Sequence, residues 1–387
     1  MLHPAKLVTA LEAKKDRFSE AEMVVQQDLS ILKKALTEFG GLSLEEIESR
    51  LKHFQSPGAL PTVEHSKRKK QIIQFTERWN NHRQAREWAL DVLEGLPTFA
   101  VDGSQIMPSK DISIPVGVVQ VGWFENRHHT DANYEKDIEV DILAPDELRE
   151  EYSSAITDWQ ISVRRFEMET GRLAEYMGAN SETEPKPVCF FDGSLIVSFI
   201  AIMPPERQRF YTNAIVRLIE TSKQTRIPLV GYIDTSYASD FITMLTHILG
   251  IQLSGRVSDA GLFRDRMSWG DRSQVYICAR DDDVLEKYYD QVCFVYLKTT
   301  GDNPPARLDI PRWMFEEGIH ERVFDIVRAE CVVGVGYPYV LETADAVSVL
   351  TMEDRERFYR LFQEFAEEQN LALRFSKKAV SKRGRRV

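Results

Sequence analysis

The sequence predicts an α/β protein, a mixed sheet flanked by helices and preceded by a helical region. Three observations carry this. Residues 1–95 show apolar residues at helical spacing, short Val-rich runs follow after residue 96, and from there strand-like and helix-like stretches alternate. The composition agrees with an ordinary folded chain. Of 387 residues, 43% are apolar and 28% charged, enough to bury a sizeable core and too apolar for a disordered protein.

Leu7, Leu11, Phe18, Val25, Leu29, Leu32 and Phe39 recur at spacings that place them on one helical stripe. Gly40-Gly41 ends that stretch, and Ser43 with Glu46 forms a capping box that starts another helix. After Ser56-Pro57-Gly58 a further helix is predicted from about Val63 to Leu93, opening on the basic cluster 67–70. Residues 1–95 therefore read as a helical hairpin suited to dimer contacts, or as a cover for a sheet. Beyond Gly95 the period becomes that of strands: Thr98–Val101, 115–124 and Ile138–Leu143. A long helix is expected over Pro145–Met177, then a strand at Val188–Phe191 and a helix to about Gln224 interrupted at Pro204-Pro205. A strand at Pro228–Ile233, a helix at 240–251, strands at 275–278 and 292–297, a last strand at Cys331–Val335 and a final helix complete the reading. Adjacent early strands followed by alternation imply a sheet with an antiparallel part. Residues 96–375 form the expected main domain.

Composition also excludes classes. The four cysteines lie far apart with no CxxC spacing, which argues against a zinc site or a disulfide framework and for a reducing cytoplasm. The N-terminus lacks the apolar core of a signal peptide, and no apolar run is long enough for a bilayer, so no membrane association is expected. No GxxxxGK[ST] loop is present, so any ATP-driven motor is another chain. The net charge is −11, yet residues 376–387 hold six Lys/Arg and no acid, leaving 43 basic against 60 acidic residues before them. Such a tail suits a polyanion or an acidic partner surface; a solvated tail is the plain alternative.

Two predicted strands run into the same tripeptide, Asp102-Gly103-Ser104 and Asp192-Gly193-Ser194. Ligands of open α/β sheets gather beyond the carboxyl ends of strands, so both carboxylates are expected at one crevice. Carboxylates a few Å apart repel and favour a hard divalent cation. Either tripeptide alone says little, because Asp-Gly is an everyday turn dipeptide; two at strand ends say more. A third acid is expected from the preceding helix, where Glu167, Glu169 and Glu175 are all candidates and a solvated face is the default for each. Asp234, after the strand 228–233, is a weaker candidate. His128-His129 read as a surface hairpin; Arg264, Arg266, Arg272, Trp269 and Lys298 could meet phosphates or bases, with neutralised or solvated side chains the simpler reading.

Here the sequence resembles the NurA nucleases. The resemblance rests on the Asp-Gly-Ser of 102–104, Phe-Asp-Gly-Ser-Leu of 191–195, Arg-Arg-Phe-Glu-Met-Glu of 164–169 between them, Arg-Leu-Asp-Ile-Pro-Arg-Trp of 307–313, and Gly-Tyr-Pro-Tyr-Val-Leu-Glu-Thr-Ala-Asp of 336–345. It spans roughly residues 95–352. It implies an RNase H-like core and a Mn²⁺- or Mg²⁺-dependent nuclease with one or two ions per site. The implied activities are 5′-to-3′ exonuclease and single-strand endonuclease, used in DNA end resection by a homodimer docked on a hexameric HerA-type translocase. Carried over, Asp102 and Asp192 are metal ligands, Glu167 is the helical acid with Glu169 next in line, and Tyr337 is the motif tyrosine. Where the family pattern carries His, this chain has Asp345, which can ligate metal but cannot act as a neutral imidazole. An inactive or weakly active DNA-end-binding adaptor of the motor is the competing reading. An Asp-nucleophile phosphohydrolase is disfavoured, because that chemistry wants a second Asp where Ser104 and Ser194 stand.

Overall fold

The computed structural model describes residues 2–67, 70–129, 134–149, 158–255, 257–280, 288–374 and 376. The basic tail, apart from Ser376, lies outside the described residues, as do Arg68 and Lys69 of the basic cluster. The chain forms two compact units, one from residues 1–80, 194–198 and 232–318, the other from 81–193, 199–231 and 319 onward.

Among the described residues, the second unit is built on five strands. β1 (Thr98–Ile106), β2 (Gly117–Asn126) and β3 (Glu135–Leu143) form an antiparallel meander, with Asp102 opposite Gly122 and Gly122 opposite Ile138. β4 (Val188–Asp192) runs parallel to β1, pairing Thr98 with Val188 and Val101 with Phe191. β5 (Leu229–Ile233) lies on the far side of β4, so the order is 3-2-1-4-5. Three antiparallel strands followed by a parallel crossover in this order make the expected RNase H-like core. The interior strands are almost continuously buried, as a sheet covered on both faces requires.

Among the described residues, six α-helices belong to this unit: α1 (His82–Leu93), α2 (Trp159–Ala179), α3 (Pro205–Thr225), α4 (His320–Val333), α5 (Tyr339–Ser348) and α6 (Met352–Glu368). α2 and α5 both lie against β1 and β2. Because side chains alternate along a strand, Asp102 and Gly103 face opposite sides. A Cβ on Gly103 would collide with Glu169 and Arg165 of α2, while a Cβ on Gly122, beside Asp102, would come within 2.8 Å of the Ser348 backbone nitrogen of α5. The two glycines thus let a helix close onto each face.

In the first unit, helices Pro4–Glu12, Lys15–Phe39 and Leu44–Leu51 precede an antiparallel set of strands. Gly58–Pro61 pairs with Tyr276–Ala279, and Val292–Leu297 pairs with Ala306–Pro311. The Ser43–Glu46 capping box is present. The N-terminal stripe divides in two: Leu32 and Phe39 are buried, whereas Leu7, Leu11 and Phe18 are exposed.

Four expectations are corrected. The single helix over Val63–Leu93 is instead Glu64–Lys67 and α1, because Ile72-Ile73 pair as a strand with Arg272-Ser273 and Asn81 caps α1 afresh. Asp102-Gly103-Ser104 does not end its strand; β1 continues to Ile106 through pairing with β2. The long helix begins at Trp159, since residues 144–149 form a turn and 150–157 lie outside the described residues. Finally, Cys331–Val335 is no strand, because Cys331 falls on the buried stripe Val323, Phe324, Val327 and Cys331 of α4. Among the described residues no helix is long and apolar enough to cross a membrane.

Candidate active site

The register sets the geometry. Val101 pairs with Phe191 in a parallel ladder, so Asp102 and Asp192 come next on neighbouring strands, which run about 4.8 Å apart. Asp102 Oδ2 accepts a hydrogen bond from Ser348 Oγ at 2.7 Å, and Asp192 Oδ1 accepts one from the Tyr337 hydroxyl at 3.1 Å. Ser348 is the last residue of α5, and Tyr337 stands two residues before its start. That helix is fixed by Glu330 of α4, fully buried, which accepts from Thr98 Oγ1 of β1 at 2.8 Å and from the Val340 nitrogen at 2.9 Å. Asp345 lies on α5, three residues before Ser348, near enough to Asp102 for that carboxylate to raise its pKa.

The helical acid at this site is Glu169. It lies over Gly103, is 12% exposed, and pairs with Arg165 one turn earlier at 3.4 Å. Glu167, the residue expected from the sequence, is not brought to the cluster. Two positions along a helix turn a side chain by about 200°, and Glu167 instead points to solvent, paired with Arg164 at 2.9 Å. Glu175 likewise pairs outward with Arg172.

Electrostatics tie the carboxylates together. Burial pushes Glu169 up to about 8; Asp102 and Asp192 push it the same way, and Arg165 opposes them. Partial desolvation also raises Asp192, helped by Asp102 and Asp345, against the lowering effect of the Tyr337 hydroxyl. Asp345 is raised by desolvation and then by Asp102. Asp102, Glu169, Asp192 and Asp345 thus form one interacting set of hard oxygen donors, and Arg165 is the cation that offsets their charge. Carboxylate oxygens are the donors a hard divalent cation takes, and two of these acids come next to each other on neighbouring strands, but among the described residues no three of the four bring ligand oxygens within 4.8 Å of one another.

Sequence reading overlooked Arg165, Ser348 and Glu330. Arg165 could have been found as the residue one turn before Glu169, and Ser348 as the residue one turn after Asp345. Glu330 gives no sequence signal, since a buried helical Glu looks like any solvated one.

The other candidates fall away from chemistry. His128 and His129 fall in the connection of the β2–β3 hairpin, as expected; His129 is exposed, while His128 is held by a hydrogen bond to the Leu96 carbonyl at 2.7 Å and lies 3.4 Å from Glu330. In the first unit, Arg272 is fully buried in a bidentate pair with Glu64, at 2.6 and 3.0 Å. Trp269 donates to the Thr299 carbonyl, and Lys298 is buried, bonded to the carbonyls of Arg264 and Asn303. Asp234 is exposed and accepts from the Thr235 hydroxyl.

The class defined here is an RNase H-like domain that carries acids on two adjacent strands and on two flanking helices. The family profile described as the NurA domain matches residues 96–350. The chain belongs to the NurA nuclease family. Among solved structures it is similar to the catalytic domain of human endonuclease V, at 14% identity over 76% of this chain and 92% of that one, with a TM-score of 0.33. It is also similar to a NurA bound to dAMP and manganese, at 10% identity over 68% and 86%, with a TM-score of 0.34. No curated protein sequence matches it.

Proposed function

We propose that this protein is a Mn²⁺- or Mg²⁺-dependent DNA phosphodiesterase, with Asp102, Glu169, Asp192 and Asp345 as the metal-holding set. The observation that carries the reading is the side-by-side placement of Asp102 and Asp192 on neighbouring strands of a NurA domain, each oriented by a hydroxyl donor. A bound divalent cation supplies an activated water and neutralises charge on the leaving oxygen. The chain's own residues do the rest. Ser348 and Tyr337 orient the carboxylates of Asp102 and Asp192 through the oxygens they donate to. Arg165, bonded to the Gly103 carbonyl at 3.2 Å and paired with Glu169, holds a guanidinium where the anionic backbone of a substrate would arrive. Tyr337 serves as a positioning donor, since an ordinary phenol stays protonated near neutral pH.

On this reading the activities are 5′-to-3′ exonuclease and single-strand endonuclease cleavage. The cellular setting is cytoplasmic DNA end resection, with a homodimer serving a hexameric HerA-type translocase. Family membership supports that setting. The test is a cleavage assay on single-stranded and end-resected DNA in Mn²⁺, Mg²⁺ and chelator, with Asp102→Ala and Asp192→Ala. Cleavage should require metal and vanish in both variants while folding persists. Full activity in either variant overturns its assignment as a ligand.

A further inference from the structure

The first unit contains a polar cavity of about 370 Å³ that the carboxylate site does not use. Its wall begins at Ser194, two residues after Asp192 in the chain, and includes Ser198, Ser236, Ser239, Tyr237, Arg280 and Arg307. Two guanidiniums are clamped there. Arg280 and Arg307 bond opposite oxygens of Asp240, each at 2.5 Å, and Arg307 also bonds Asp309 at 2.7 Å. The carboxylates fix both forks in place and offset their charge.

One donor is left over. Arg307 is 2% exposed, yet its Nη2 has no hydrogen-bond partner, and a buried charged donor is costly to leave unpaired. Ser236 Oγ accepts from the Ala238 nitrogen, so its own proton remains available to the pocket. The nearby helix Asp240–Leu249 adds no Phe241 or Ile242 backbone donor to the pocket, because both nitrogens already donate to Asp259. The cavity therefore offers fixed side-chain donors with their charge nearly balanced. Such a lining suits a singly charged phosphodiester. Beside it stands Tyr237, 87% exposed, an aromatic ring with no core to fill. A free ring at the mouth of a donor-lined pocket is the arrangement that stacks an unpaired base.

We propose that this pocket holds one backbone phosphate of single-stranded DNA, with the adjoining base stacked on Tyr237. The nature of the strand rests on the nuclease reading above, and the phosphate contact rests on the pocket alone.

The test measures binding of a labelled single-stranded oligonucleotide to the full chain by fluorescence anisotropy in chelator, with inorganic phosphate as competitor. Tyr237→Ala should weaken oligonucleotide binding about tenfold, and Tyr237→Phe should restore it. Ser239→Asp keeps a good helix-capping residue while adding a negative charge to the pocket. It should weaken the oligonucleotide about tenfold and raise the phosphate concentration needed to compete. Unchanged oligonucleotide binding in both Tyr237→Ala and Ser239→Asp overturns the proposal. Loss of phosphate competition with intact oligonucleotide binding also overturns it, since the pocket then takes free phosphate. Cleavage by the parent protein in Mn²⁺ is scored separately. Absent cleavage with weakened variant binding rejects the nuclease reading and keeps the pocket.

Discussion

Replacing Glu169 by Gln separates the buried acid from its exposed neighbour Glu167 through the dependence of stability on pH. In the folded, metal-free protein burial pushes Glu169 up to about 8, against 4.5 for an ordinary glutamate. Between those values the folded state keeps a proton that the unfolded chain has released, so stability falls as pH rises. The slope is about 1.4 kcal/mol per pH unit, which amounts to about 3 kcal/mol by pH 7 and about 5 kcal/mol beyond pH 8. Gln resembles the protonated acid and cannot ionise. Glu169→Gln should match the parent near pH 4.5 and exceed it in stability increasingly as pH rises. Glu167 is 53% exposed and loses only a surface ion pair, so Glu167→Gln should follow the parent profile within about 1 kcal/mol. Denaturant unfolding in chelator from pH 4.5 to 9 reads all three curves. Cleavage in Mn²⁺ should disappear in Glu169→Gln and persist in Glu167→Gln. A flattened profile in Glu167→Gln, or a Glu169→Gln protein that still cleaves, refutes the assignment of the helical acid.

Ser348→Ala removes the hydroxyl that orients Asp102 and should raise the Mn²⁺ concentration for half-maximal cleavage by about 10- to 100-fold, with stability little changed. Gly122→Ala places a methyl against the α5 backbone; thermal unfolding should show a loss of about 1–3 kcal/mol, with metal affinity falling alongside it. Asp345→His removes one negative charge facing Asp102, and calorimetry should then show weaker Mn²⁺ binding as pH drops through the imidazole range near 6.5. Deleting residues 376–387 should lower the salt dependence of single-strand binding by about 0.7 in log–log slope for each phosphate the tail neutralises in the parent protein.

What the sequence reveals follows from which forces leave a periodic trace. Strands buried on both faces leave apolar runs, so Val188–Phe191 and 292–297 are legible, and the end of the first points to Asp192. The same signal misleads at Cys331–Val335, because a short apolar run in a buried helix looks like one in a buried strand. The choice between Glu167 and Glu169 fails for a different reason. Arg165, Glu169, Arg172 and Tyr176 lie at i, i+4, i+7 and i+11, a polar stripe turned toward the sheet. Arg172 covers the Trp123 ring, Tyr176 donates to Glu125 at 3.0 Å, and Glu169 sits over Gly103. A reading that seeks the buried face of a helix through its apolar residues assigns such a stripe to solvent. The glycine of the first Asp-Gly-Ser is the missing clue. Its lack of a Cβ matters because a charged side chain, rather than a turn, occupies that space. A strand glycine paired with a helical Arg-x-x-x-Glu therefore predicts the phase of the helix where hydrophobic periodicity does not, and it selects Glu169.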